Sequence, residues 1–331
     1  MPIRMTERNQ RPLLDIASYG RRGPHGHGAF TPAEREHISR TVGRVPEVMV
    51  KVSGGGKSSG QVAAHFRYVD RNGTLEMETD DGERLSGRGI ANGLVTDWDL
   101  ELEGTKPPPG KLRTSTKQPK LAHNIIFSMP PGTPPDKLLA AVRTFAREEW
   151  ALKHRFMMAL HTDEPHPHVH VVVKAMSEQG KRLNPNPTAL RAWRAQFARH
   201  LRAQGIAANA TERSVRGVSR SHHHDGIYRA MRRGASTFYR QRTREVVTEI
   251  AKGGLKTEPG KAQLLGTRQE IVRGWQAVAQ TLARDGQQDL ARRVVDFVCQ
   301  MLPARTDKEH LSVDLIEHHR RQSVRERDRT R

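Results

Sequence analysis

Ala159-Leu160-His161-Thr162-Asp163-Glu164-Pro165-His166-Pro167-His168-Val169-His170-Val171 carries four of the chain's seventeen histidines across two apolar runs and the turn between them. In a strand, residues two apart point to the same face. His168 and His170 therefore stand side by side, with Val169 facing the other way. His161 closes the preceding run, Phe156 to His161, and a turn through Asp163 to Pro167 brings it back alongside them. Three imidazoles on one patch of sheet make a three-nitrogen face with coordination positions left open, the arrangement of a catalytic metal and not of a closed structural one. Asp163, two residues beyond His161, is placed to orient an imidazole from behind. His166 sits in the turn and takes no ligand role. The run His222-His223-His224 lacks fixed geometry and decorates a basic loop.

Strands and amphipathic helices alternate around this hairpin. Val48, Val50 and Val52 alternate with Met49 and Lys51, the pattern of a half-buried strand. Gly54-Gly55-Gly56-Lys57-Ser58 resembles a nucleotide-binding loop, but that motif needs glycine where Lys51 stands. A glycine turn approaching a phosphate and a plain strand-to-helix turn both remain open. Ser58 and Gln61 fit a capping box for a helix from Gln61 to about Arg71, stopped by Asn72-Gly73. Its apolar stripe is Val62, Phe66 and Val69, and Tyr68 falls roughly 130° away from the stripe's centre. Leu75 to Gly89 is acidic, with Asp81-Gly82 as a turn, and reads as a hairpin or loop. Trp98 to Lys120 reads as a long polar loop with polyproline character at Pro107-Pro108-Pro109. Ala122 to Met129 is a strand. Asp136 is expected to cap a helix carrying Leu138, Val142, Phe145 and Trp150. Pro187 starts another, with Leu190, Trp193, Phe197 and Leu201 on one face and Gly205 at its end. The alternation predicts a sandwich with the sheet on one side and helices on the other.

The 331 residues allow roughly two domains. A formal net charge of +20 points to a polyanion partner, and with no stretch approaching a membrane span the partner expected is nucleic acid. The first residues lack a signal peptide's apolar core, so the expected location is cytoplasmic. The single cysteine, Cys299, rules out an intramolecular disulfide and is expected to be buried in a helix. Residues 1–45 suit a flexible basic arm, with a short helix allowed at Thr31-Pro32. Between Arg191 and Arg244 thirteen arginines face two acids, Glu212 and Asp225, an excess that favours a phosphate-tracking surface over ordinary solvation. Beyond 219 the chain predicts a basic helical extension, with helices near Ile271 to Ala283 and Leu290 to Leu302 and a frayed Arg-rich tail. That extension suits a grip on DNA or on a partner, and the tail is either a basic secretion signal or merely solvated.

An open metal site in a basic protein suggests phosphodiester chemistry. Either water or a side chain can attack. Tyrosine is a candidate because its phenoxide is both a nucleophile and a fair leaving group, so that a covalent join can be reversed. Of Tyr19, Tyr68, Tyr228 and Tyr239, only Tyr68 falls in an ordered element off its apolar stripe and ahead of the histidine strands.

Four segments in this order, K-V-S-G-G-G-K-S-S-G-Q-V-A-A-H-F-R-Y-V-D-R-N-G, L-A-H-N-I-I-F-S-M-P-P-G-T, H-T-D-E-P-H-P-H-V-H-V-V-V and G-I-A-A-N-A-T-E-R-S-V-R-G, give residues 46–218 a resemblance to the relaxase, or mobilisation-nuclease, family of HUH endonucleases. VirD-type border endonucleases and the relaxases of mobilisable plasmids are the particular likeness. The resemblance implies an α+β fold with a five-stranded antiparallel sheet and flanking helices, and a basic helical region after it. It implies that His161, His168 and His170 hold a divalent metal and that Tyr68 is the nucleophile; Asp163, read above as an orienting group, stands beside Tyr68 as a candidate catalytic residue. Tyr68 would cut one strand at the nick site of a transfer origin and keep the 5′ phosphate. Lys51, Lys57, Arg71, Arg213 and Arg216 are the candidate DNA contacts. Accessory proteins of a relaxosome and a type IV coupling protein are the further partners implied. Nitrogen ligands favour Mn, Ni, Co or Zn, whereas phosphate and cellular abundance favour Mg; Mg or Mn is expected. Two departures stand out. Lys174 occupies the place where the family commonly has Asn. About 45 residues also precede the first strand, which makes Tyr19 a rival nucleophile. A rolling-circle replication initiator shares the chemistry, and a non-catalytic basic DNA-binding protein is the alternative of another class.

Overall fold

The computed structural model describes residues 29–103, 118–220, 230–231 and 233–329, with the side chains of all but 102–103 and 324–329. These divide into two compact units, the first Arg44–Ala210 and the second the described parts of Leu14–Gly43 and Thr211–Arg331.

In chain order the elements are α1 (Pro32–Val42), β1 (Met49–Gly54), α2 (Ser59–Val69), β2 (Met77–Thr79), β3 (Arg84–Leu85), α3 (Ile90–Asp97), a one-turn α4 (Leu100–Glu103), β4 (Ala122–Ser128), α5 (Pro135–Trp150), β5 (Phe156–His161), β6 (His168–Lys174), α6 (Pro187–Ala203), α7 (Thr237–Ala251), α8 (Lys261–Arg284), α9 (Gln288–Cys299) and α10 (Asp307–Arg329).

The first unit is built on one antiparallel sheet in the order β1-β4-β6-β5-β2-β3. It has six strands, not the expected five. The extra strand comes from the acidic hairpin: β2 pairs with the edge of β5, and Glu78 on β2 is buried because Arg143 of α5 holds its carboxylate with two nitrogens at 2.6–2.8 Å. A charge that reads as solvent-facing in the sequence is therefore neutralised under the sheet's edge.

Helices cover both faces of the sheet, where a single helical layer was expected. Val169, Val171 and Val173 of β6 pack with Phe156, Met158 and the inner faces of α5 and α6. Val172 packs with Met157, Ala159 and the stripes of α2 and α3 on the opposite side. Period-two alternation then places His168 and His170 on the α2 side, and the register pairs His161 with His168 and Ala159 with His170. The apolar periodicity of β6 thus puts the imidazoles under the Tyr68 helix.

The larger core centres on Phe127, whose ring lies 4.9 Å from Phe145, 5.1 Å from Phe197 and 6.3 Å from Trp150. All four are nearly solvent-free. Phe127→Ala is expected to cost about 3–5 kcal/mol, from lost transfer energy and an unfilled cavity. Urea unfolding of the full chain checks this, and a loss below about 1 kcal/mol would contradict the packing.

Local signals were realised with small differences. Ser58 caps α2 by accepting from the Gln61 amide, but Gln61 Oε1 accepts from the Lys57 amide, so the capping box is only half closed. Asp136 does not cap α5; the N-cap is Pro134, and Asp136 sits in the first turn, where a negative charge suits the helix dipole. The glycine turn after β1 has a packing reason. A Cβ on Gly55, at φ +147°, would lie 2.2 Å from the Ala122 carbonyl oxygen, and one on Gly56 would lie 2.4 Å from Val62.

The strand residue His123 is pushed down to about 4, first by burial and then by the positive charges of Lys120, Arg182 and His154. Between its ordinary 6.5 and about 4 the unfolded chain binds this proton more readily than the folded chain. The contribution to stability is therefore complete above 6.5 and is lost as pH falls through that window. Thermal unfolding between pH 7 and pH 4.5 is expected to show a falling midpoint, with a shallower fall in His123→Gln. Equal slopes in the two proteins would refute the assignment.

The second unit is helical. Phe30 and Ile38, from the start of α1 and its buried face, pack with Ile271, Trp275, Val278 and Leu282 of α8 and with Val294 and Phe297 of α9. Trp275 Nε1 donates to the Val215 carbonyl at 2.9 Å. Residues 29–43 are thus part of a folded core and not of a flexible arm; residues 1–28 lie outside the described residues. Cys299 is exposed, contrary to expectation. The buried stripe of α9 is Ala291, Val294 and Phe297, and a residue two places past Phe297 turns about 200° away from it. The backbone of α10 stays helical to Arg329, where a frayed tail was expected. Among the described residues no helix is long and apolar enough to cross a membrane.

Candidate active site

His161, His168 and His170 each offer a ring nitrogen, and the three nitrogens lie within 4.8 Å of one another. Their ring centroids are 4.5–5.2 Å apart. The hydrogen bonds behind the rings decide which nitrogens face inward. His161 Nε2 donates to the Val69 carbonyl at 2.7 Å, which leaves Nδ1, a buried atom with no hydrogen-bond partner among the described residues. His168 Nδ1 donates to the His166 carbonyl at 3.0 Å, leaving Nε2. His170 Nδ1 faces the Asn124 amide, with Nδ2 at 3.1 Å and Oδ1 at 3.3 Å; Nδ2 already donates to Ser53 Oγ at 2.6 Å, and with Nδ1 donating to Oδ1 the nitrogen left over is again Nε2.

Each ring is therefore held from behind and presents one lone pair forward, the way metal-binding histidines are oriented. Burial first, and then the neighbouring imidazoles His161 and His168, push His170 down to about 3; burial also lowers His161. Neutral imidazoles keep the lone pair that a cation needs. The buried, partnerless Nδ1 of His161 and the three-nitrogen donor set fit a divalent cation.

Tyr68 lies at this face. Its ring stands edge-on to His170 at 5.8 Å, is stacked with His65 at 6.0 Å, and is about half exposed. The Arg71 guanidinium lies 5.1 Å from the ring centroid. Burial opposes the charge of Arg71, yet hydrogen bonds to the Tyr68 side chain and to Asp163 raise its pKa above the ordinary arginine range. The segment that follows the tyrosine is thus tied to the histidine hairpin twice, through the Val69 carbonyl on His161 and through Arg71 on Asp163, at 2.5 Å.

Asp163 does not hold an imidazole. Its carboxylate pairs with Arg71, which against a desolvation cost keeps it below the usual carboxylate range. The part assigned to it in the sequence is taken by Val69 O for His161 and by Asn124 for His170. Asn124 was missed, although its signal was present: an amide alternating with apolar residues in a central strand needs a buried partner. His65, one turn before Tyr68 and stacked with its ring, was missed as well.

The other expected residues are dispersed. Lys51 and Lys57 are exposed near β1 and the start of α2. Lys174 is buried at the end of β6, 3.9 Å from Glu178 and four residues beyond His170, about 13 Å along a strand. Arg213 and Arg216 belong to the second unit, as does Tyr239 on α7. Tyr19, Tyr228 and His222 to His224 lie outside the described residues.

Residues 89–206 match the family model described as relaxase, MobA/VirD2-like, nuclease domain. That segment holds the three histidines and Asn124 and begins after Tyr68. The T-DNA border endonuclease VirD2 of Agrobacterium fabrum is 29% identical over 194 residues, which cover 52% of this chain and 41% of that protein. The VirD2 of Rhizobium rhizogenes is 29% identical over 193 residues, covering 52% and 42%. The chain spans less than half the length of these relatives. A solved conjugative relaxase TrwC in complex with oriT DNA aligns with 76% of this chain and 99% of its own at 12% identity, with a TM-score of only 0.34. Over residues 89–206, the segment that holds the three histidines, the chain is thus similar to the nuclease domain of MobA/VirD2-like relaxases.

Proposed function

We propose that the chain is a DNA relaxase that nicks one strand at a transfer origin through Tyr68, for plasmid mobilisation or a T-DNA-like transfer. The observation that carries this reading is the placement of the Tyr68 phenol against the inward-facing imidazole triad, with Arg71 beside it. The phenol oxygen attacks the scissile phosphorus and gives up its proton. The P–O3′ bond breaks, the 3′ oxygen leaves and takes up a proton, and the 5′ phosphate stays on Tyr68 as a diester. Attack by the 3′ hydroxyl on that diester reverses the reaction and reseals the strand.

Arg71 carries a permanent positive charge beside the phenol, where it neutralises phosphate charge in the transition state. Asp163 acts through Arg71 by fixing the guanidinium's direction. His161 Nδ1, His168 Nε2 and His170 Nε2 would hold a divalent cation, Mg or Mn, which supplies polarisation of the phosphate oxygens when bound. Asn124 and the Val69 carbonyl keep the rings in the tautomers that this requires. Lys51, Lys57, Arg213 and Arg216 are assigned to the DNA backbone. Accessory proteins at the origin and a type IV coupling protein are the further partners proposed, with action in the cytoplasm before export of the linked strand.

The test is an adduct assay. The full chain is incubated with single-stranded oligonucleotides from candidate origins and Mg or Mn, and the product is run on a denaturing gel and digested for mass spectrometry. The expected product is the fragment downstream of the nick, linked through its 5′ phosphate to the peptide containing Tyr68, with the upstream fragment released bearing a 3′ hydroxyl. Cleavage without a covalent link would point to water as the nucleophile and overturn the reading.

A further inference from the structure

Beside the tyrosine helix lies a second recess that the chemistry above does not use. Arg67, Asp70 and Asn72, from the end of α2, and Arg88, Gly89 and Asn92, from the start of α3, line a cleft of about 350 Å³. Asp70 is 2% exposed, and its Oδ1 has no hydrogen-bond partner among the described residues. Its backbone is fully engaged: the N–H donates to Phe66 O, and the carbonyl accepts from Gly73 and Leu75. A buried carboxylate oxygen without a donor is unfavourable by itself and is completed by a donor from outside.

The rim has the opposite character. Among the described residues Arg67 reaches only the Asn92 side chain, at 3.4 Å, and neither Arg67 nor Arg88 forms an ion pair. The eight-residue α3 starts at Gly89 with no side-chain cap, so its first-turn amides add to the positive character of this rim. An acceptor-only group in the recess and cationic groups at its mouth call for a ligand that is anionic at one end and rich in N–H donors at the other.

We propose that this cleft is a nucleotide subsite for the single strand, resting on the reading that the chain cuts DNA. Arg67 and Arg88 hold a phosphate flanking the scissile one, and Asp70 accepts from the base. Arg67 adjoins Tyr68 and both are exposed on α2, so a strand crossing the phenol passes the cleft. A carboxylate can only accept. Cytosine, adenine and guanine each offer an exocyclic amino group, whereas thymine offers a single imide N–H between two carbonyls that would face the carboxylate. The cleft therefore discriminates against thymine at one position beside the nick.

The test is fluorescence anisotropy of the full chain with labelled oligo(dC) and oligo(dT) about 12 nucleotides long, a length within the range gripped by single-strand-binding folds. The expectation is roughly tenfold tighter binding of oligo(dC), the size of one good base contact. Asp70→Asn, which keeps the shape and adds a donor, is expected to bring the ratio to about one while oligo(dT) affinity holds. The pair Arg67→Ala and Arg88→Ala, at exposed positions, is expected to weaken both oligonucleotides alike and to lower the salt slope by about two. Competition by free dCMP at the same site would assign the cleft to free nucleotides and overturn the strand assignment. Equal binding of the two oligonucleotides by the wild-type chain also overturns the subsite, whether or not the variant folds. A wild-type chain that binds neither and forms no adduct overturns the nuclease reading itself. Adduct formation with an unchanged base ratio in Asp70→Asn removes only the subsite.

Discussion

Tyr68→Phe is expected to abolish the covalent protein–DNA adduct and to lower strand cleavage by at least about 10³-fold, the scale of losing a nucleophile. The substitution removes one oxygen and little else. The ring keeps its edge-on contact with His170 and its place beneath the Arg71 guanidinium, and a side chain about half exposed contributes little to the core. Thermal stability and affinity for single-stranded DNA should therefore stay close to those of the unaltered chain. That separation distinguishes a lost nucleophile from a damaged fold. The measurement is a denaturing gel with 5′- and 3′-labelled strands, each variant at matched occupancy. Tyr239→Phe should behave like the unaltered protein. An adduct that survives Tyr68→Phe and disappears in Tyr19→Phe would assign the chemistry to the N-terminal region instead.

The geometry around Tyr68 explains which parts of the site were legible in the sequence. The three histidines are spaced by the strand period, so their shared face follows from local backbone geometry alone, and the register of β5 with β6 agrees with it. Tyr68 stood out for a similar reason, being off the stripe of a helix whose buried residues are Val62, Phe66 and Val69. What could not be read are choices made between elements far apart in the chain. Asp163 lies two residues from His161, yet it pairs with Arg71, ninety-two residues upstream, because a full guanidinium charge binds a carboxylate more strongly than a neutral imidazole does. The orienting groups for His161 and His170 come from α2 and β4, and no local pattern announces them. The sixth strand was hidden likewise. The strands of that hairpin, β2 and β3, are only three and two residues long, and Arg143 on a distant helix is what makes burial of Glu78 tolerable. In the second unit, α1 read as part of a basic arm because the residues that cover Ile38 lie more than 230 positions downstream.

His168→Ala is the substitution expected to do most to metal binding while leaving the fold intact. His161 and His170 are nearly solvent-free and engaged from behind, so removing either takes the partner from a buried acceptor: the Val69 carbonyl in one case, Asn124 Oδ1 in the other. His168 is only partly buried, and its Nδ1 partner is the carbonyl of a turn residue that water can replace. Losing its Nε2 turns a three-nitrogen face into a two-nitrogen one. A change confined to the groups behind metal ligands costs about 10–100-fold in affinity, so loss of a ligand should cost at least about 100-fold. Calorimetric titration of Mn into the full chain measures this directly. An independent readout is the thermal midpoint: at a metal concentration about 100 times the dissociation constant, binding stabilises the folded chain by roughly 2.7 kcal/mol. The unaltered protein should therefore melt higher with Mn than with a chelator, and His168→Ala should show almost no difference between the two. Asn124→Ala should fall between them, because His170 keeps its nitrogen and loses only its orientation. If His168→Ala binds Mn within about threefold of the unaltered chain, well short of the loss expected even behind a ligand, the three imidazoles are not the ligand set. The phosphate chemistry would then rest on Arg71 and the tyrosine alone.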